Sequence, residues 1–192
     1  MKKRIIALGL LWCLSAVMLQ AARVDTVLVR SAAMNKDVKV VYVLPDKAIG
    51  KQACPVVYLL HGYGGNARSW VQLKPELPQM ADEKGIIFVC PDGKNSWYWD
   101  SPENPAYRYE TFVTSELVKY TDGNYATIPD RKARAISGLS MGGHGALWSA
   151  IRHKDVFGAA GSMSGGVDIR PFPQNWEMSK QLGEFVANKA SW

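Results

Sequence analysis

The sequence A-I-S-G-L-S-M-G-G-H-G-A-L at residues 135–147 decides the fold of this 192-residue chain. It contains the pattern G-x-S-x-G, centred on Ser140. Residues 133–137 predict a short strand and residues 141–152 predict a helix, so the serine falls on the turn between them. A serine on such a turn projects its hydroxyl from the edge of a sheet, and the flanking glycines leave room for neighbouring backbone. The pattern therefore predicts a catalytic, nucleophilic serine at a strand–helix elbow.

Apolar segments on both sides of this elbow predict the sheet that carries it. Six segments have the composition of strands: 24–30, 38–44, 55–60, 86–90, 133–137 and 157–163. The first two are rich in valine and predict an antiparallel pair. Three segments predict helices: 76–84, 109–121 and 141–152. Strands and helices alternate from residue 55 onward, which indicates an α/β fold with a mostly parallel sheet and helices on both faces.

A glycine-rich loop, H-G-Y-G-G at residues 61–65, follows the apolar run 55–60. Folds with a serine elbow take one oxyanion-hole N–H from the residue after the nucleophile and a second from a loop in this position. We therefore expect Met141 and Tyr63 to donate these hydrogen bonds, with Gly62 as the second choice for the loop donor.

Two extended motifs resemble a known family. They are H-G-Y-G-G-N at residues 61–66, followed by Trp70, and I-S-G-L-S-M-G-G-H-G-A-L at residues 136–147. Together they resemble the esterase family of α/β-hydrolases that includes S-formylglutathione hydrolases, feruloyl and acetyl-xylan esterases and mycolyltransferases. The resemblance spans residues 24–170. It implies hydrolysis of esters or thioesters by a Ser–His–Asp triad, with no metal and no organic cofactor.

The partners of the nucleophile are not evident in the sequence. Triad members in this fold follow the order serine, acid, histidine. His153 lies thirteen positions along the helix from Ser140, about 20 Å away at 1.5 Å per residue, and His144 is expected to pack beside the helix. Asp168 is the one well-placed acid, yet it comes too early in the fold. We therefore expect an α/β-hydrolase domain truncated after about six strands, the N-terminal two-thirds of an esterase, with little activity of its own.

Three consecutive aromatic residues, Trp97, Tyr98 and Trp99, follow the predicted strand at 86–90. Loops at this edge of an open α/β sheet line the binding pocket, so these side chains are candidates for stacking on a sugar or an aromatic acyl group. The alternative is that they pack the loop onto the domain, because aromatic side chains mostly supply buried area. Trp176 has the same two interpretations: stacking on a substrate group, or packing its loop onto the domain.

The N-terminal residues 1–22 have the layout of a secretory signal peptide. A basic segment at 1–4 precedes fifteen uncharged residues at 5–19, and small residues follow at 21–22. The apolar run is shorter than the ~20 residues that a spanning helix needs. The sequence thus predicts a domain at 23–192 that is secreted or periplasmic, with no stable membrane insertion after cleavage.

Composition restricts the class of protein further. The chain is 47% hydrophobic and 21% charged, which is typical of a folded globular domain. The net charge is +6, and three of the positive charges lie within residues 2–4. No later basic run is interleaved with aromatics, so we expect no nucleic-acid partner.

Cys54 and Cys90 lie at opposite ends of two predicted parallel strands, about 15 Å apart, so we expect free thiols.

These observations predict an exported serine ester hydrolase that acts through an acyl-Ser140 intermediate. Its expected partner is a small-molecule or polysaccharide ester. Export disfavours a glutathione thioester, and it favours feruloyl or acetyl esters of polysaccharides. Two alternatives remain open: an acyltransferase with the same elbow, and a non-catalytic, glycan-binding relative of the hydrolases.

Overall fold

The structure is a computed structural model that describes residues 22–192. The predicted signal peptide therefore lies outside the described residues, apart from Ala22. Six strands form one sheet in the order β1-β2-β4-β3-β5-β6. The strands are β1 (Arg23–Ser31), β2 (Lys36–Leu44), β3 (Val56–Leu60), β4 (Ile87–Pro91), β5 (Arg134–Leu139) and β6 (Ala159–Met163). Strand β2 is antiparallel to β1 and β4, and all other neighbours are parallel, so the predicted mostly parallel sheet is confirmed.

Seven α-helical segments surround the sheet. They are α1 (Asp46–Ile49), α2 (Ser69–Leu73), α3 (Leu77–Lys84), α4 (Tyr109–Thr111), α5 (Leu117–Asn124), α6 (Met141–Arg152) and α7 (Ser179–Leu182). A π-helical turn at Phe112–Glu116 joins α4 to α5, so the helix predicted at 109–121 is one helical body with a wide turn inside it. Gly85 ends α3 in the left-handed conformation. No helix among residues 22–192 is long and apolar enough to cross a bilayer.

Strand β2 shows why the helices divide between the two faces of the sheet. Successive side chains of a strand point to opposite faces. Val40 and Tyr42 belong to the apolar cluster that includes residues of α5 and α6, whereas Val41 and Val43 belong to the cluster under α3. All four side chains are fully buried. Two apolar faces therefore require two layers of helices, and the expected α/β architecture is the result.

The two cysteines of the described chain are buried and free. Cys54 precedes β3 and Cys90 lies near the end of β4, whose parallel register pairs Tyr58 with Val89. Burial raises the pKa of the Cys90 thiol to about 12. This thiol is therefore protonated and packs as a small apolar side chain.

Strand β6 is an edge strand with an unprotected outer side. Four of its five residues are exposed, and no strand among residues 22–192 pairs with its outer edge. The segment after β6 packs elsewhere: the Ser101 hydroxyl donates a hydrogen bond to the Gln181 carbonyl at 2.6 Å. The opposite edge strand, β1, carries Arg23, Asp25 and Arg30, and charges of this kind discourage edge-to-edge pairing. Strand β6 has no such protection.

We expect the polypeptide to self-associate through β6. Replacing the exposed Ala160 by lysine should reduce this association, because a charge on an edge strand opposes pairing with another strand. Light scattering against protein concentration measures the effect. Ala32→Lys, which adds the same charge in the exposed turn between β1 and β2, should associate like the wild type. Equal association of both variants would show that the β6 edge is not responsible.

Candidate active site

Ser140 lies in a strained turn between β5 and α6. Its backbone has φ 55° and ψ −116°, a conformation that residues with a side chain adopt rarely and at a cost of about 1–3 kcal/mol. Two hydrogen bonds hold the turn: the Ser140 N–H donates to the Met163 carbonyl at 2.8 Å, and the His144 N–H donates to the Ser140 carbonyl at 3.0 Å. The Ser140 side chain is exposed. The elbow predicted from G-x-S-x-G is therefore the conformation that the chain adopts here.

Glycines beside the nucleophile allow backbone segments to touch. A Cβ atom on Gly142 would lie 2.2 Å from the Leu60 carbonyl oxygen at the end of β3. A Cβ atom on Gly138 would lie 2.2 Å from the Gly142 carbonyl oxygen. Both distances are far below any real contact, so the first turn of α6 can approach β3 and β5 this closely only with glycine at these positions.

The loop after β3 lies next to the nucleophile. A Cβ atom on Gly62 would be 3.6 Å from the Ser140 Cβ atom, which places this loop in contact with the elbow. The N–H groups of Tyr63 and Met141, the two expected oxyanion donors, have no hydrogen-bond acceptor among residues 22–192. The Gly62 N–H is likewise unpaired within this range. The structure therefore leaves all three N–H groups as candidates for the oxyanion donors.

His61 holds the loop from the side of β4. Its Nε2 atom accepts a hydrogen bond from the Gly93 N–H at 2.9 Å, so Nδ1 carries the proton and donates to the Gly62 carbonyl at 2.7 Å. The ring is 2% exposed. Both nitrogens are occupied, so His61 is a structural part of the loop.

Hydrogen bonds also hold the His144 side chain inside the protein. Its Nε2 atom accepts a hydrogen bond from Trp99 Nε1–H at 2.9 Å, and its Nδ1 atom donates to the Gly166 carbonyl at 2.6 Å. Burial lowers the pKa of this imidazole, so it is neutral in the folded protein at neutral pH. A ring with both nitrogens bonded in this way cannot take the proton of Ser140.

His153 ends α6 in a cluster around a buried carboxylate. Glu110 accepts hydrogen bonds from Trp148 Nε1, Arg152 Nε and His153 Nε2 at 2.7, 2.7 and 2.8 Å. Burial alone would raise the pKa of Glu110, but the hydrogen bonds from these three donors lower it, so the group is ionised. The cluster ties α4 to the far end of α6. Sequence reasoning missed Glu110, because its partners lie about forty residues away in the chain.

A cavity of 280 Å³ opens at Ser140. Its walls are mostly aromatic and apolar, with Tyr63, Trp97, Phe172, Trp176, Ile169 and Met178 among the lining residues. Asp168 also lies in the wall, where its exposed carboxylate pairs with Arg170 at 2.8 Å. The cavity is near the lower end of the usual size of small-molecule sites, about 300 Å³. It can hold an apolar or aromatic group of modest size.

The three aromatic residues predicted to bind substrate divide between cavity and core. Trp97 lines the cavity at Ser140. Tyr98 is fully buried, and its hydroxyl donates to the His61 carbonyl at 3.2 Å. Trp99 stacks on Trp97 at 5.6 Å and donates to His144, facing a separate cleft of 770 Å³. The packing interpretation therefore replaces the substrate-binding one for Tyr98, because its ring has no surface left to offer a ligand.

Replacing Gly142 by alanine should destabilise the protein by about 1–3 kcal/mol, because the new methyl group would overlap the Leu60 carbonyl. Denaturant titration measures the free energy of unfolding. Gly123→Ala in α5 is the matched control: a Cβ atom there meets nothing within 4 Å, so alanine should stabilise the helix by about 0.5–1 kcal/mol. Equal effects at the two positions would contradict the close contact.

The stability of the fold should fall as the pH decreases below about 6.5. His144 has a lowered pKa in the folded protein, whereas the unfolded chain binds a proton near pH 6.5. Stability is therefore fully present above about pH 6.5 and is lost as the pH falls toward the folded pKa. His144→Gln removes this titration and should flatten the slope of unfolding free energy against pH. The same slope in both proteins would show that His144 does not contribute to it.

Comparison with known proteins places the chain in a family. Residues 31–192 match the family model described as "Putative esterase". The chain is 28% identical to the acetyl esterase of Caldicellulosiruptor saccharolyticus over 135 residues, which are 66% of this chain and 50% of that protein. It is 34% identical to the diacylglycerol acyltransferase/mycolyltransferase Ag85A of Mycobacterium gordonae over 155 residues, 76% of this chain and 43% of that protein.

A solved ferulic acid esterase superposes on this fold with a TM-score of 0.72 at 29% identity. The alignment covers 90% of this chain and 69% of that one. The chain spans about half the length of the two relatives compared by sequence. The family model covers most of the chain. This chain therefore belongs to the Putative esterase family of α/β-hydrolases.

Proposed function

We propose that this protein is a serine carboxylic-ester hydrolase that acts through an acyl-Ser140 intermediate. The observation that carries the proposal is the exposed Ser140 on a strained elbow, together with the N–H groups of Tyr63 and Met141, which have no acceptor among residues 22–192. The Ser140 oxygen attacks the acyl carbonyl, and negative charge develops on the carbonyl oxygen, where these two groups donate. The alcohol then leaves with a proton, and water hydrolyses the acyl-serine.

The proton of Ser140 needs an acceptor. Among residues 22–192, His61, His144 and His153 all bond to other groups, and none contacts the Ser140 hydroxyl. We therefore propose that this polypeptide turns over esters slowly. Enzymes that lose their triad keep only about 10³–10⁴-fold acceleration over water, from the oxyanion hole and substrate binding.

Acyl esters of polysaccharides, of the feruloyl or acetyl type, are the substrates we propose. The aromatic lining of the cavity, which includes Trp97 and Trp176 packed against each other at 6.2 Å, supports an aromatic acyl group. The names of two relatives, an acetyl esterase and a ferulic acid esterase, support the same class. The signal-peptide pattern at residues 1–22 supports action outside the cytoplasm, where such substrates occur.

Transfer of the acyl group to an alcohol is the second candidate function. The mycolyltransferase relative at 34% identity favours it. Both reactions share the acyl-Ser140 intermediate, and they differ in whether water or an alcohol removes the acyl group. Product analysis with added glycerol or a sugar alcohol separates the two.

A fluorophosphonate probe should label the protein at Ser140, slowly because no histidine among residues 22–192 contacts the hydroxyl, and Ser140→Ala should abolish the labelling. Ser164→Ala is the matched control, because Ser164 lines the same cavity but does not occupy the elbow. It should label as the wild type does. Peptide mapping by mass spectrometry identifies the modified residue. Labelling of folded Ser140→Ala at the wild-type rate would overturn the proposal.

A further inference from the structure

Among the described residues that line the cavity beside Ser140, one side chain is charged. Most of the lining is aromatic or aliphatic, with Trp97, Phe172 and Trp176 as its largest members, and Asp168 is the exception. Asp168 also lines the neighbouring cleft of 770 Å³, whereas Ser140 does not. The carboxylate therefore lies where the cavity meets this cleft, on a different part of the wall from the nucleophile.

The backbone on both sides of Asp168 is fixed. Before it, His144 Nδ1 donates a hydrogen bond to the Gly166 carbonyl at 2.6 Å, and a Cβ atom on Gly166 would lie 3.2 Å from the Trp97 ring. After it, the Ile169 side chain is buried. Asp168 therefore has a defined place before any ligand binds, and such preorganisation lowers the cost of binding.

Arg170 orients the Asp168 carboxylate and keeps it ionised. Oδ1 accepts hydrogen bonds from the Arg170 backbone N–H at 3.2 Å and from Nε at 2.8 Å, and Oδ2 accepts one from Nη2 at 2.9 Å. The hydrogen bonds from Arg170 lower the pKa of Asp168, so this group is a carboxylate at neutral pH. Each carboxylate oxygen accepts about two hydrogen bonds. Oδ1 is thus fully used, while Oδ2 can accept one more.

A single carboxylate in an aromatic cavity favours one kind of ligand. It repels anions and offers nothing to a purely apolar ring, but it accepts strongly from a hydroxyl donor. An acyl group with its carbonyl carbon at Ser140 would extend between the aromatic side chains, and the far edge of its ring would meet the rest of the wall. A phenolic hydroxyl at that edge is the donor that fits, since the ring keeps its apolar contacts. An acetyl group carries no such donor.

We propose that Asp168 is a specificity residue whose Oδ2 atom accepts a hydrogen bond from the phenolic hydroxyl of a hydroxycinnamoyl ester. The cavity then prefers this acyl group over one whose hydroxyl is absent or methylated. The proposal rests on the function proposed above and narrows its acyl group to a hydroxylated aromatic one. Asp168 takes no part in the bonds that form and break, so the preference acts on binding and is measurable without turnover.

The test compares two esters that differ by one methyl group. Ethyl ferulate carries a free phenolic hydroxyl, and ethyl 3,4-dimethoxycinnamate carries a methoxy group in its place. Titration of the full chain, followed by NMR through the indole N–H signals of Trp97 and Trp176, gives both dissociation constants. We expect the ferulate ester to bind about tenfold more tightly, a factor at the low end for a hydrogen bond to a charged group because the Asp168 side chain is 48% exposed.

Two variants break the same ion pair in different ways. Asp168→Ala removes the acceptor, so binding of ethyl ferulate should weaken about tenfold, while binding of the dimethoxy ester should change less than about twofold. Arg170→Ala also breaks the pair but leaves the carboxylate, so it should keep at least a roughly threefold preference for ethyl ferulate. Both residues are exposed and a surface ion pair adds little to stability, so both variants should fold.

Equal affinities of the two esters for the wild-type chain, or binding of neither, would overturn the role of Asp168. A preference that persists in Asp168→Ala would do the same, since another group would then recognise the hydroxyl. The fluorophosphonate experiment decides the proposed function separately. A chain that does not label, yet prefers ethyl ferulate and loses this preference in Asp168→Ala, would overturn the hydrolase and retain the cavity as a binding site for hydroxycinnamoyl groups.

Discussion

The close contact between the first turn of α6 and the end of β3 controls the geometry of the site. Gly142 lies against the Leu60 carbonyl, and no residue with a side chain fits at this distance. Because the two backbones touch, the turn at Ser140 and the loop that starts at His61 become neighbours. The strain of the Ser140 backbone is compensated by its hydrogen bond to Met163 of β6 and by the packing of α6 on the sheet. Ser140 and the proposed oxyanion donors are therefore positioned by the same backbone contact.

Polar side chains around this contact are used to fix the backbone. His61 joins the glycine loop to the end of β4, and His144 joins α6 to Trp99 and Gly166. Glu110 joins α4 to the last turn of α6 through three donors. In each case a buried polar group has partners for its hydrogen-bonding atoms, which is the condition for burying it without a large penalty. The histidines of the described chain thus serve structure, and Ser140 is the serine that the elbow presents to the cavity.

The cavity beside Ser140 is built largely by the segment after β6. Phe172, Trp176 and Met178 come from this segment and meet Trp97, which follows β4. The same segment supplies Glu177, which reaches back to Tyr63. One segment therefore supplies both the cavity wall and a contact to the loop after β3.

The amino-acid sequence by itself determined the strands, the elbow at Ser140, the glycine loop at 61–65 and the family. These features are local: apolar runs, spacing and turn residues act within a few positions of one another. The tertiary structure decided which polar and aromatic side chains meet. Tyr98 became core and Trp97 became cavity wall because the loop turns through two left-handed residues, and Glu177 meets Tyr63 across 114 positions of sequence. No periodic pattern encodes such contacts, since they arise only when the sheet brings distant loops to the same edge.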